Sequence, residues 1–203
     1  VGNSHQSYSA SVVKLMVMLA VFQKVSEGAL AEDASLDGLL EQMITVSSNE
    51  ATNALVERLG SGNINAGFGV VNSVAAQYGV HESHLNSRMG DLSNYSTKQT
   101  SVADQGRFLA AAYRGQLVSA GYSKRMTDIM SRQTRRAKIP AGLPQGVACA
   151  NKTGEAPGVE NDAAIGYGEH PYVIAVMSSD VPDSSSAQAQ IRDISSTVWA
   201  SLQ

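Results

Sequence analysis

From Val12 to Phe22 the chain is apolar at every position but one, Lys14. A segment apolar on all sides belongs to a helix enclosed by protein, and the spacing predicts a helix over Ser11–Val25, closed by Glu27-Gly28. Residues 35–59 divide into two short helices, SLDGLLEQMI and NEATNALVERL, separated by Thr45–Ser48 and stopped at Gly60. Phe68, Val71, Val74 and Ala75 place a further helix over Asn65–Tyr78. Ser101–Tyr113, with Asp104–Arg107 on its exposed side, and Tyr122–Ser131 read as two more. Between the Asn65–Tyr78 helix and Ser101, His81–Thr100 is polar and aperiodic, and patternless segments of that length inside a compact domain are often functional loops. Arg132–Lys138 reads as a solvated basic loop, and residues 1–10, with Ser4, Ser7 and Ser9, as polar and turn-like.

The pattern then changes. Val147–Lys152, Ala163–Tyr167 and Tyr172–Ser178 are short and rich in Val, Ile, Ala and Tyr, with Gly158 and Glu169-His170-Pro171 between them. They predict three antiparallel strands. Ala187–Leu202 closes the chain as a helix with Ile191, Ile194, Val198 and Leu202 on one face, expected to pack on the sheet beside the Ser11 helix. A helical block, a hairpin sheet and one last helix make an α+β fold, read as a single domain over residues 1–203. The outer edge of the last strand is left bare. A bare edge invites pairing, so the expected cover is a segment upstream of Val1 or a second copy in a homo-oligomer.

Composition narrows the function. With 203 residues, 43% hydrophobic and only 16% charged, the chain can bury a sizeable core and is not disordered. A net charge of −3 gives no electrostatic footprint for nucleic acid. The single cysteine, Cys149, excludes an internal disulfide and a multi-cysteine zinc site, and reads as a small buried strand residue. His5, His81, His84 and His170 lack metal-ligand spacing, so no metal or other cofactor is expected. The apolar run of 11 residues is too short to cross a membrane, which takes about 20, and it has no flanks of a signal peptide.

Three short motifs carry candidate chemistry. Ser11 lies three residues before Lys14, and positions i and i+3 share a helix face, so hydroxyl and amine can meet. Burial lowers a lysine pKa, which fits Lys14 for a base. The free N–H groups at a helix start favour a developing oxyanion at Ser11. A nucleophile with its base within one turn is what covalent catalysis requires. The plainer alternative is a capping serine and a snorkelling lysine. Lys152-Thr153-Gly154 ends the first strand, where Ala148, Ala150 and Lys152 share a face and Gly154 admits a close approach. Ser47-Ser48-Asn49 lies between two helices and on its own reads as a helix cap.

Together SVVK, SSN and KTG, in this order and each in its expected context, resemble the signature of class A β-lactamases and penicillin-binding proteins. MITVSSNEATNAL and NKTGEAPGVENDAAIGY resemble the stretches around the second and third motifs, and the likeness extends over nearly all of the chain from Ser9 on. The resemblance implies a β-lactamase/transpeptidase-like fold and an extracytoplasmic enzyme acting on β-lactams or cell-wall peptides. It makes Ser11 the acylated nucleophile, Lys14 its base, Ser47 a proton relay held by Lys152, and Asn49, Thr153, Gly154 and Glu155 the substrate-binding set. The backbone N–H groups of Ser11 and Glu155 would form the oxyanion hole.

Four departures from the family pattern shape the expectation. Ser48 stands where the family usually has aspartate. Ser11 and Ser47 are unusually close in sequence, which predicts a cut-back rim. Only ten residues precede Ser11, where the family has a helix and two strands, so these N-terminal elements are expected to be missing from the chain. The segment HLNSRMGDLSNYSTKQTS offers Asp91 but no recognisable deacylating glutamate, and Glu82 lies earlier. The acyl-enzyme is therefore expected to be long-lived. A D-alanyl peptidase or transpeptidase, and a non-catalytic cell-wall-binding module, stay open as alternatives. Glu155 reads either as a cleft-edge carboxylate that alters substrate choice or as a solvated turn residue.

Overall fold

The computed structural model describes residues 5–203; Ser4 and the rest of 1–4, part of the turn-like opening, lie outside the described residues. Strand β1 (Ser7–Tyr8) leads through a 3-10 turn, Ala10–Val13, into helix α1 (Lys14–Ser26). Helices α2 (Ala34–Thr45), α3 (Asn49–Leu59) and α4 (Ile64–Gln77) follow. Strands β2 (His84–Leu85) and β3 (Lys98–Thr100) precede α5 (Val102–Tyr113) and α6 (Ala120–Ser131). The last elements are β4 (Ala148–Ala156), β5 (Val159–Tyr167), β6 (Tyr172–Val176) and α7 (Ser184–Leu202).

Every residue of α1 from Lys14 to Phe22 is buried. Helices α2, α3, α4 and α6 pack around it, which is the enclosure its all-round apolar sequence demands. The apolar core that forms there continues onto one face of the main sheet through Ala150, Ala163 and Ile165. The opposite face has its own small core of Ile139, Cys149, Ala164 and Ile191 under α7. The last helix is thus on the far face of the sheet, not beside the Ser11 helix. Of the expected stripe it buries Ile191, whereas Ile194 and Leu202 are each 44% exposed. Ser195, one turn on from Ile191, is the other buried residue, and its hydroxyl donates to Ile139 O at 2.8 Å. Gly142 makes this approach possible, since a Cβ there would meet Arg192 O at 2.3 Å.

The main sheet has the order β4-β5-β6, antiparallel throughout. The first two strands run well past the expected ends, to a tight turn at Pro157-Gly158. Lys152-Thr153-Gly154 therefore lies inside a strand, paired with Ala163, Asp162 and Asn161. The polar run NKTGE looked like a strand end, but its polar atoms serve the site and the neighbouring loop. The outer edge of β6 has no strand partner among the described residues.

The aperiodic segment also holds structure. Strands β2 and β1 flank β3 in a second, small sheet, so the polar opening of the chain and the 81–100 segment are tied together. Asp104 is fully buried, not exposed: it accepts from Glu82 N, the Ser83 hydroxyl and Arg107. Gln105 is buried as well.

Candidate active site

Three elements converge on one cleft: the 3-10 turn before α1, the turn between α2 and α3, and strand β4. The turn places Ser11 and Lys14 three residues apart, and in a 3-10 turn such side chains nearly eclipse. Ser11 is partly exposed and lines a cleft of about 270 Å³ with Tyr8, Asn49, Met89, Leu92 and Glu155. Lys14 is completely buried. The Lys14 amine turns instead to the neighbouring turn between α2 and α3. The Lys14 Nζ donates to Ser47 O at 2.6 Å, Asn49 Oδ1 at 2.8 Å and Ser47 Oγ at 3.2 Å. Among the described residues no hydrogen bond joins Ser11 Oγ to Lys14.

From the other side the Lys152 Nζ donates to Ser47 Oγ at 2.9 Å, with a second bond to Thr153 O at 2.8 Å. The Ser47 hydroxyl thus lies between two buried lysines. Neither has a carboxylate within ion-pair distance among the described residues. Burial first, then the Lys152 charge, push Lys14 down to about 6. Burial pushes Lys152 down to about 7, with Glu155 pulling the other way and Arg135 adding to the fall.

Local backbone strain marks the same two turns. Ser47 has φ +62° and Ala10, just before Ser11, φ +45°, in the left-handed region that costs a side-chain-bearing residue about 1–3 kcal/mol. Across from Ala10 lies Gly154, where a Cβ would meet Ser9 O at 2.9 Å and Ser11 N at 3.0 Å. Only glycine lets β4 come this close to the Ser11 backbone. Ser48, the departure at the second motif, keeps a cap for α3: its Oγ accepts from Ala51 N at 3.0 Å. The serine therefore supports the turn that presents Ser47 and Asn49.

The loop wall of the cleft is built from Met89, Gly90 and Leu92. Asp91 is exposed, and its carboxylate accepts from Ser93 N at 2.9 Å. The loop is held from beneath by the fully buried Lys98, whose Nζ donates to Ser87 Oγ, Asp91 O and Arg88 O. Asn53 pins Met89 at both its N–H and its carbonyl. At the entrance the rings of Tyr8 and Tyr95 stack with centroids 4.0 Å apart. None of these anchors is visible as a motif, because each joins segments far apart in the chain.

In the basic loop Arg132, Arg135 and Arg136 are exposed as expected, but Lys138 is not: it is 2% exposed and bonds Glu155 and Glu160, each at 2.8 Å, and Asn161 O. Glu155 is not a solvated turn residue: Lys138 and then Arg135 hold its carboxyl below the usual range, against the upward push of burial. Among the described residues no cluster of His, Cys, Asp and Glu is placed to hold a metal. A larger groove of about 430 Å³ runs between the 176–183 segment and α7. Its only ionisable residues are Asp180 and Asp183, and Asp183 caps α7, so the smaller cleft is the one equipped for catalysis.

Comparison with known proteins gives the same direction. The model of the β-lactamase enzyme family matches residues 31–202, a span that holds Ser47 and Lys152 and begins after Lys14. The solved structure of PBP-A resembles the chain with a TM-score of 0.86 and 26% identity, over 97% of this chain and 81% of that one. A mutant of PBP-A, solved as an acyl-enzyme complex with penicillin G, gives 0.88 and 27%, over 99% and 83%. A β-lactamase from Sphaerobacter thermophilus DSM 20745, at 24% identity and a TM-score of 0.85 over 96% and 83%, shares the fold. No curated protein matches the sequence.

Proposed function

The chain belongs to the β-lactamase enzyme family and is a serine hydrolase of that type, and we propose that Ser11 is its nucleophile and that its acyl-enzyme turns over slowly. The observation that carries this reading is the buried Ser47 hydroxyl, bonded by both Lys14 and Lys152 beside the Ser11 cleft. Neutral Lys14 accepts the Ser11 proton, directly or through Ser47, as Ser11 Oγ bonds to the lactam carbonyl carbon. The ring C–N bond then breaks, and Ser47 gives its proton to the leaving nitrogen while a lysine replaces it. The amides of Ser11 and Glu155, brought together across Gly154, hold the oxyanion, a contribution of roughly 3–4 kcal/mol per donor. Asn49 binds the substrate amide, and Lys152 and Thr153 its carboxylate.

Water attack on the ester needs a base of its own within hydrogen-bond reach. The loop wall offers Met89, Gly90 and Leu92, Asp91 is turned to Ser93, and Glu155 is committed to Lys138 and Arg135. The same gap supports a second reading, a penicillin-binding peptidase or transpeptidase, in line with the likeness to PBP-A. We infer that the enzyme works as a single domain outside the cytoplasm, where cell-wall peptides lie; no helix among the described residues is long and apolar enough to cross a membrane. Intact-mass spectrometry after mixing with a penicillin tests the account. A near-stoichiometric adduct lasting minutes is expected. Free enzyme returning within seconds while the drug is consumed would reveal a deacylating base and overturn slow turnover.

A further inference from the structure

Glu155 stands on β4 directly after the Gly154 contact and lines the Ser11 cleft. Its Oε2 lies 2.7 Å from Arg135 Nη1 and its Oε1 2.8 Å from Lys138 Nζ. Lys138 is in turn fixed by Glu160 and the Asn161 carbonyl, so Glu155 cannot swing away without leaving a buried ammonium one partner short. Arg135 is half exposed and comes from the loop after α6. A guanidinium stays charged at any working pH and suits a carboxylate better than an ammonium does. It lies directly against the cleft-lining Glu155 carboxylate, where it can add to Lys152 and Thr153 in receiving an anionic substrate.

We propose that the Arg135–Glu155 pair sets the charge preference of the cleft: Glu155 occupies the guanidinium that a substrate carboxylate would otherwise take, so acyl-amides with a neutral or blocked end are accepted nearly as well as free acids. An incoming carboxylate has to share Arg135 with Glu155 and meets a like charge at the cleft wall, which opposes binding. A neutral ester or amide at the same place meets neither. This rests on Ser11 being the nucleophile.

The test compares a penicillin free acid with its methyl ester and reads the ratio of their acylation rate constants, acid over ester, by intact mass. The ratio cancels any general loss caused by a shifted strand. Glu155→Gln frees Arg135 and is expected to raise the ratio about fivefold, the scale of one partly exposed charge pair. Arg135→Ala, a change at an exposed side chain that leaves Glu155 facing the cleft, is expected to lower it by about the same factor. The double variant should return to within about twofold of the wild type. A ratio that is unmoved or lowered by Glu155→Gln, or raised by Arg135→Ala, overturns the proposal. No adduct from either probe on the wild type overturns the serine-hydrolase reading itself and this inference with it.

Discussion

Lys14 and Lys138 are both buried lysines close to strand β4, and their surroundings are opposite. Lys14 bonds only neutral oxygens, those of Ser47 and Asn49. Lys138 bonds two carboxylates, Glu155 and Glu160, and one carbonyl. An ammonium buried among neutral acceptors lacks a counter-charge, so desolvation dominates and the amine is released for proton transfer. One buried among carboxylates forms ion pairs and tethers the loop that carries Arg135 to strands β4 and β5. Lys152 likewise bonds only neutral oxygens, the shared Ser47 hydroxyl and Thr153 O, and Lys98 does the same for a loop, bonding a hydroxyl and two carbonyls. Burial alone does not make a lysine catalytic; the Ser11 cleft beside it and a shared hydroxyl do.

The contrast breaks most clearly at Lys14. Lys14→Ala should slow acylation by on the order of 10³-fold, the scale of a lost general base, while circular dichroism shows a retained fold. A loss under tenfold would return Lys14 to a packing role. Lys138→Met should show the opposite pattern in denaturant unfolding. It leaves Glu155 and Glu160 without their ammonium and should cost about 3–5 kcal/mol. Lys14→Met removes an amine that no carboxylate pairs with and should be neutral or stabilising. Equal losses for the two methionine variants would dissolve the distinction between the two sites.

The pH profile sharpens the comparison further. Burial pushes Lys14 down to about 6 and Lys152 down to about 7. Both share Ser47, so the two steps belong to the pair. As pH rises through the first step, acylation should accelerate because the base becomes neutral. As it rises through the second, Lys152 loses its charge and its hold on the substrate carboxylate should weaken. Acylation by a penicillin free acid should therefore be greatest between these two values. A profile that is flat from pH 5 to 9 would show that neither lysine is tuned by its surroundings.

Of the catalytic candidates, Ser11 and Lys14 were legible from local geometry, and Ser47 and Lys152 only through motifs that resemble the family's. Ser11 and Lys14 are one turn apart, and an isolated charge in the α1 run is visible without a structure. The helices were legible for the same reason, being periodic or closed by a cap such as Ser48 or a glycine such as Gly60. What the sequence hid is long-range. Lys138 looked solvated because its partners, Glu155 and Glu160, follow it by 17 and 22 residues on two paired strands. The β1-β3-β2 sheet was missed because its strands are two or three residues long and polar, so no period of two can register. The face of α7 was misjudged because close approach at Gly142, not hydrophobicity, decides which side meets the sheet.

The central claim is that Ser11 is acylated with help from the paired lysines. It is tested most directly by incubating wild-type protein and the Lys14→Ala variant with a reporter penicillin, digesting both and locating the label by mass spectrometry. The account predicts one labelled peptide from the wild type, modified at Ser11, and none from the variant over the same interval. A label on Ser47 or elsewhere, or equal labelling of both proteins at Ser11, would contradict it.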